Sequence, residues 1–148
     1  MASIYLITYG CTANQDNSSI IKGILNENGH DIIENAEKAD IVVINSCIVK
    51  DVTANKVRSS IEKHCNKRLI ITGCMAESEQ KLLKEIAPNA SLVNTFHITN
   101  IGMAVDGLIH GKNNCLVGKR REEKIGLPKL FDGKARIQIS EGCSSMCS

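Results

Sequence analysis

Three short apolar runs limit the possible folds of this chain more than any other feature of its sequence. The runs are IYLIT (4–8), IVVIN (41–45) and LIITG (69–73), and each is nearly continuous and rich in β-branched residues. This composition is typical of strands that are buried on both faces of a parallel sheet. Two weaker runs, HDII (30–33) and ASLVN (90–94), are further strand candidates.

Amphipathic stretches separate these apolar runs. Apolar residues recur at helical spacing over 15–28, 51–65, 78–87 and 98–110, so we predict a helix in each of these ranges. The step from the second strand to the third is short and contains no helix. This order of elements predicts an α/β fold, a flavodoxin-like doubly wound sheet of five parallel strands in the order 2-1-3-4-5.

The character of the sequence changes near residue 111. Scattered glycines, one proline and a dense run of charges indicate a linker over 111–133, with a short hairpin as one alternative. ARIQIS (135–140) then alternates like a strand. We therefore predict an α/β domain over 1–110, a linker over 111–133 and the start of a second unit over 134–148.

The cysteine content points to metal or redox chemistry. Seven cysteines are many for 148 residues, and the count is odd. The N-terminal residues MASIYLITYG do not resemble a secretion signal, and no apolar run is long enough to span a membrane. A cytoplasmic, reducing environment is the expectation, in which clustered cysteines bind metals more often than they form disulfides. Cys65 and Cys115 lie away from the motifs below, and we expect no role for them.

Cys11, Cys47 and Cys74 each follow the end of a predicted strand, the first, third and fourth in turn. Those strands are neighbours in the order 2-1-3-4-5, and their carboxyl ends share one edge of the sheet. We therefore expect the three thiols to converge where open α/β sheets bind ligands. The helix N-termini that follow are expected to favour the thiolate form. Three thiolates suit an iron–sulfur cluster with one open iron.

Two other interpretations of these cysteines remain open. They could be packing residues of a non-catalytic α/β module that binds a nucleotide or a protein. The absence of a glycine-rich phosphate motif after the first strand weakens the nucleotide version. They could also form a structural zinc site, for which His97 is the candidate fourth ligand.

The segments YGCTANQ, INSCIVKDVTANK and TGCMAE around these cysteines resemble the N-terminal domain of the radical-SAM methylthiotransferases. The family motifs are G-C-x-x-N, N-T-C-x-V-[RK] and G-C-x-x-Q, and the resemblance runs from residue 4 to the end of the chain. The matching residues are Gly10, Cys11, Asn14, Asn45, Cys47, Val49, Lys50, Gly73 and Cys74. The departures are Ser46 for Thr, Glu77 for Gln, and Asn17 where many members have Asp.

The last residues, ISEGCSSMCS, extend the resemblance. Cys143 and Cys147 are similar to the first two cysteines of the family's C-x3-C-x2-C radical-SAM motif, whose third cysteine would follow residue 148. The resemblance implies that 134–148 contains the first strand of a truncated radical-SAM barrel. We therefore expect this chain, by itself, to be unable to cleave S-adenosyl-L-methionine reductively.

The resemblance also implies an activity and its cofactors. TYGCTANQ is most similar to the archaeal and eukaryotic branch, which adds a methylthio group to C2 of N6-threonylcarbamoyladenosine at position 37 of tRNA. Sister branches modify isopentenyladenosine in tRNA or a ribosomal protein. The full-length enzyme would use two [4Fe–4S] clusters, S-adenosyl-L-methionine and an electron donor such as flavodoxin or ferredoxin. Cys11, Cys47 and Cys74 would hold the auxiliary cluster, with Asn14, Asn45 and Lys50 as polar neighbours.

The residues themselves give little indication of RNA recognition. A net charge of +2 provides no overall basic field. Lys50 and Lys56, near the start of the predicted second helix, could meet RNA phosphate, or could equally be solvated surface residues. The few aromatic residues argue against a base-stacking platform. They are Tyr5, Tyr9, Phe96 and Phe131.

Overall fold

The computed structural model describes residues 1–47, 51–119 and 123–136. In this part of the chain, six strands alternate with helices. The strands are β1 (Ser3–Thr8), β2 (Asp31–Ile33), β3 (Ile41–Ser46), β4 (Arg68–Gly73), β5 (Ser91–Val93) and β6 (Cys115–Leu116). The α-helices are α1 (Thr12–Glu27), α2 (Asp51–His64), α3 (Cys74–Ser78), α4 (Gln80–Ile86) and α5 (Ile101–Ile109). Two 3₁₀ helices cover Ala36–Lys38 and Thr95–Asn100.

The strands form one parallel sheet in the order β2-β1-β3-β4-β5-β6. This confirms the predicted doubly wound α/β class and the order of the first five strands. The sixth strand was not predicted. It pairs with β5 through Leu92 with Cys115 and Val93 with Leu116, and it lies inside the range 111–133. Two residues are too few to show a strand pattern in the sequence.

Helices pack on both faces of the sheet. One core contains residues of α1 and α5 packed on inward residues of the sheet, among them Ile4, Val43 and Ile70. The other core contains residues of α2 and α4 packed on Val42 and Ile71. Successive residues of a strand point to opposite faces, so β3 and β4 supply apolar side chains to both cores. That explains why their sequence runs are continuously apolar.

Two predicted helices have different bounds in the structure. The range 78–87 corresponds to two short helices, α3 and α4, and α3 already begins at Cys74. The range 98–110 begins later as α-helix, because a 3₁₀ segment with non-helical dihedrals at His97 precedes Ile101. The Asn94 side chain accepts a hydrogen bond from the Phe96 backbone N–H (3.1 Å), which fixes the start of that segment.

Residues 127–132, which we name the strap, pack against α1. The Leu130 N–H donates to the Ser19 carbonyl at 2.9 Å, and Lys129 Nζ contacts Asp16 Oδ1 at 2.7 Å. At Gly23 the two segments touch so closely that an added Cβ would lie 2.3 Å from the Pro128 carbonyl oxygen. The strap therefore lies on the domain although it belongs to the range 111–133. None of the described helices combines the length and apolar character that crossing a bilayer requires.

Candidate iron–sulfur centre

The structure places Cys11, Cys47 and Cys74 at the carboxyl edge of three adjacent strands. Cys11 caps α1 after β1, Cys47 directly follows β3, and Cys74 opens α3 after β4. The sheet register, which pairs Thr8 with Asn45 and Ser46 with Gly73, brings the three strand ends to one level. Cys47 is 4% exposed, Cys11 is exposed and Cys74 is intermediate.

Two glycines allow the close approach of these loops. Gly10 has φ of +141°, and a Cβ there would lie 2.6 Å from the Cβ of Cys47. Gly73 has φ of +93°, and its added Cβ would lie 2.2 Å from the Ser46 carbonyl oxygen. A side chain at either position would both clash and strain the backbone. The glycines before Cys11 and Cys74 are therefore needed to bring the cysteine loops against β3.

The pKa of the Cys74 thiol depends on the groups around it. Burial raises the pKa of the Cys74 thiol, and the nearby charges of Cys47 and then Cys11 raise it further. The backbone N–H of Cys74 and the ammonium of Lys124 lower the same pKa by smaller amounts. The pKa of Cys74 is therefore raised and not lowered as expected, because burial and the charges of Cys47 and Cys11 outweigh the backbone N–H and Lys124. Three thiolates this close repel each other and are favoured together only when a cation compensates them.

A buried hydrogen-bond network fixes two of the three cysteine loops. Asn14 Nδ2 donates to the Ser46 carbonyl at 2.8 Å, and Asn45 Nδ2 donates back to the Asn14 carbonyl at 2.7 Å. Asn45 Nδ2 also donates to Ser18 Oγ at 2.8 Å. The Cys11 thiol donates to Asn14 Oδ1 at 3.4 Å. The predicted polar neighbours Asn14 and Asn45 therefore bind each other and position the Cys11 and Cys47 loops.

Glu77, which stands where the family motif has Gln, joins the Cys74 helix to the far side of the sheet. Its carboxylate accepts hydrogen bonds from the Asn94 side-chain amide and from the Gly118 N–H, the latter at 3.0 Å. The Gly118 N–H contributes most to lowering the pKa of Glu77, followed by Asn94 and the charges of His97 and Lys119. Burial acts in the opposite direction. Although Glu77 departs from the motif, its carboxylate therefore has hydrogen-bond donors in this structure.

Residues 3–95 match the family described as "Uncharacterized protein family UPF0004". The chain belongs to this family. It is 32% identical over 151 residues to a probable threonylcarbamoyladenosine tRNA methylthiotransferase of Methanothermobacter thermautotrophicus, covering 98% of this chain and 35% of that protein. It is 36% identical over 155 residues to a tRNA-2-methylthio-N(6)-dimethylallyladenosine synthase of Petrotoga mobilis, covering 97% and 35%.

A eukaryotic relative is more distant. The threonylcarbamoyladenosine tRNA methylthiotransferase of Xenopus laevis is 27% identical over 156 residues, which cover 98% of this chain and 28% of that protein. The UPF0004 chain thus spans about a third of the length of the curated relatives that it matches. Relatives named for threonylcarbamoyladenosine and relatives named for dimethylallyladenosine have similar sequence identities to this chain. Overall similarity therefore does not separate the two branches.

Several other predicted site residues are untested or have other partners. Lys50, Cys143 and Cys147 lie outside the described residues of the UPF0004 chain. His97 lies on the same edge, but its Nδ1 is hydrogen-bonded to Asn94 Oδ1 at 2.8 Å. Cys65 follows the C-terminus of α2 at the opposite edge of the sheet. Across 1–47, 51–119 and 123–136, no three Cys, His, Asp or Glu side chains are grouped tightly enough to hold a single metal ion.

The sequence did not identify two residues that act on this site. Ser18 bridges β1 and β3, since its Oγ lies 2.7 Å from Thr8 Oγ1 and 2.8 Å from Asn45 Nδ2. Lys124, in the predicted linker, brings a positive charge near Cys74. Both depend on tertiary placement. A polar residue on the apolar side of α1 is a weak signal for Ser18, and nothing in the sequence indicates the path that returns Lys124 to the thiols.

Proposed function

We propose that this chain is the auxiliary-cluster part of a radical-SAM methylthiotransferase, in which Cys11, Cys47 and Cys74 hold a [4Fe–4S] cluster. The observation that carries the proposal is the position of the three thiols at adjacent strand ends, near enough for two to raise the pKa of the third. The names of the relatives, which are methylthiotransferases acting on tRNA, support the same activity.

The donor set fits a cluster better than a single ion. Thiolates are the usual protein ligands of iron–sulfur clusters, and each binds a different iron, so the three sulfurs stand farther apart than the ligands of one zinc ion. The structural-zinc alternative would also need a fourth ligand, and His97 is engaged by Asn94.

The chain's own residues would assemble and protect the site. Cys11, Cys47 and Cys74 each lose a proton to become ligands, and Lys124 offsets part of their charge. The exchange of hydrogen bonds between Asn14 and Asn45 holds the first two loops at fixed separation. Burial of Cys47 limits access of water from the sheet side. When bound, the cluster would supply an iron without a protein ligand, which can hold the sulfur that is to be transferred.

Anaerobic reconstitution tests the cluster directly. Incubation with ferrous iron and sulfide should give about four iron and four sulfide per chain, with a brown colour. Replacement of Cys11, Cys47 or Cys74 by Ala should remove most of the iron. The matched controls Cys65→Ala and Cys115→Ala, and the double variant of Cys143 and Cys147, should keep it. One zinc per chain would support the structural-zinc alternative, and no metal in anaerobically purified protein would support the packing alternative.

The finer assignments belong to the full-length protein. We propose that it acts on N6-threonylcarbamoyladenosine in tRNA in the cytoplasm, using S-adenosyl-L-methionine, a second cluster and reduced flavodoxin or ferredoxin. The test is mass spectrometry of nucleosides from tRNA treated with the full-length protein. A methylthio group on isopentenyladenosine instead would move it to the sister branch. The 148-residue chain alone should form no 5′-deoxyadenosine above background.

A further inference from the structure

A second feature lies on the sheet face opposite α1, in a cleft of about 690 Å³ between β1 and α2. Because strand residues alternate between faces, Tyr5, Ile7 and Tyr9 all point into it. Its other wall is α2, including Lys56, Ser59, Lys63 and His64. This volume lies within the usual range for small-ligand sites. The cleft is separate from the three cysteines, but it begins beside them, since Tyr9 precedes Cys11 by two positions.

The cleft exists because the connection from β2 to β3 is short. In a doubly wound sheet a helix between these strands would cross β1 and cover this face. Here the connection contains only the 3₁₀ helix Ala36–Lys38. α2 packs over β3 and β4, where Val57 and Ile61 enter the core, and leaves β1 beside it uncovered. Tyr5 and Tyr9 are therefore only partly buried.

The charge along the cleft is positive. Lys56 and Lys63 are exposed on α2, and neither forms an ion pair with any described residue. They lie two turns apart on the same side of the helix, at a spacing of seven residues. Two ammonium groups without an ion-pair partner among the described residues, beside aromatic rings, suit a ligand that carries both phosphates and planar rings.

His64 adds a polar group that lacks a partner. Its side chain is 4% exposed, its Nδ1 lies 2.8 Å from the Ser60 carbonyl oxygen, and its Nε2 is buried without a partner in the described chain. His64 lines the cleft, but its Nε2 has almost no accessible surface, so this atom is not a contact for a ligand.

We propose that this cleft binds a single-stranded segment of RNA. Tyr5 and Tyr9 provide ring surfaces for bases, and Lys56 and Lys63 contact phosphates. This rests on the proposed function, because the cleft runs from the cysteine edge and would guide RNA flanking the modified nucleotide. The scarcity of aromatic residues had argued against base stacking, but half of the chain's four aromatic residues meet here.

The two tyrosines make the proposal directly testable, since they are the only tyrosines in the chain. Protein labelled with 3-fluorotyrosine should give two ¹⁹F signals. Both should shift when a short unstructured RNA of mixed sequence is added. Affinity is measured in parallel by fluorescence anisotropy of the labelled RNA at fixed salt.

Matched variants identify the contacts. The double replacement Lys56→Ala and Lys63→Ala should weaken RNA binding about tenfold or more, whereas Lys84→Ala, on the exposed side of α4, should not. Tyr9→Leu should weaken it about fivefold, and Tyr9→Phe should retain it. A loss of RNA binding with Leu but not with Phe at position 9 distinguishes base stacking on the ring from a general packing effect.

Several results would overturn the proposal: unmoved ¹⁹F signals during RNA binding, an equal loss with Lys84→Ala, no RNA binding at all, or binding of free AMP as tight as that of the strand. Iron content after reconstitution is measured on every variant. If the cleft variants keep their iron and still bind RNA as the parent does, the proposed role of the cleft is refuted and the cluster proposal stands. Absent iron with the predicted RNA effects would refute the cluster and leave the cleft supported.

Discussion

Asn14 and Asn45 hold each other across the junction of α1 and β3. Asn45 Nδ2 donates to the Asn14 carbonyl at 2.7 Å, and the two side-chain amides also meet at 3.4 Å. Both are almost fully buried, with 3% and 1% exposure. A buried amide pair is favourable only when its donors and acceptors are satisfied. The pair thereby fixes the separation of the loops that carry Cys11 and Cys47.

Replacement of Asn45 by Ala should destabilise the domain by about 2 kcal/mol, because it removes the buried amide that donates to the Asn14 carbonyl and to Ser18 Oγ. Urea unfolding of the metal-free protein measures the change. Asn26→Ala, on the exposed end of α1, is the matched control and should stay within about 0.5 kcal/mol of the parent. Equal effects of the two variants would mean that the amide pair contributes little.

Gly29 and Gly73 both have positive φ, but only Gly73 is crowded. Replacing each by Ala therefore distinguishes the cost of crowding from the cost of backbone strain. At Gly29 (φ +77°) an added Cβ meets nothing within 4 Å, whereas at Gly73 it would lie 2.2 Å from the Ser46 carbonyl oxygen. Gly29→Ala should therefore cost only the left-handed backbone, about 1 kcal/mol. Gly73→Ala should cost about 2 kcal/mol more and should lower iron incorporation. Similar midpoints in urea would contradict the close packing of the Cys74 loop on β3.

Glu77 should make stability depend on pH. Its pKa is lowered in the folded protein, chiefly by the Gly118 N–H, so its contribution is present above the ordinary value of 4.5 and is lost as pH falls through the folded value. The parent should be more stable than Glu77→Gln near neutrality, and the difference should shrink as pH falls below 4.5. Glu27→Gln, at the exposed end of α1, controls for loss of a surface charge. A difference that is constant with pH would exclude this linkage.

The two ion pairs of the strap should differ in strength. Asp16 is 3% exposed, and its Oδ2 has no partner in the described chain, so Lys129 is the neutralising charge for a buried carboxylate. Lys129→Ala should cost about 3 kcal/mol. Lys22 contacts Asp132, which is 78% exposed, so Lys22→Ala should cost about 0.5 kcal/mol.

A second replacement separates charge from packing in the strap. Adding Asp16→Asn to Lys129→Ala should recover part of the lost stability, because the buried charge is then gone. Failure to recover would indicate that the Lys129 side chain acts through packing alone. A strong effect of either variant would extend the folded unit beyond residue 110, where the sequence predicted a linker.

Only part of this structure leaves a pattern in the sequence, for a physical reason. Strands β1, β3 and β4 were recognisable because burial on both faces makes their residues continuously apolar, and parallel topology then fixed the common edge of Cys11, Cys47 and Cys74. By contrast, β6 exists only because β5 offers it a pairing edge. The return of Lys124 and the strap depends on long-range contacts that leave no period in the sequence. The cleft was not predicted, although its cause was, since the step from the second strand to the third was expected to contain no helix.

The route of the polypeptide after β6 has a consequence for handling this protein. Lys124 is close enough to Cys74 to lower its pKa, and the strap that follows lies along α1. A protease cut between β6 and the strap would interrupt none of the described strands or helices. It would nevertheless free Lys124 to leave the thiols, so their hold on iron would weaken before any loss of secondary structure became visible.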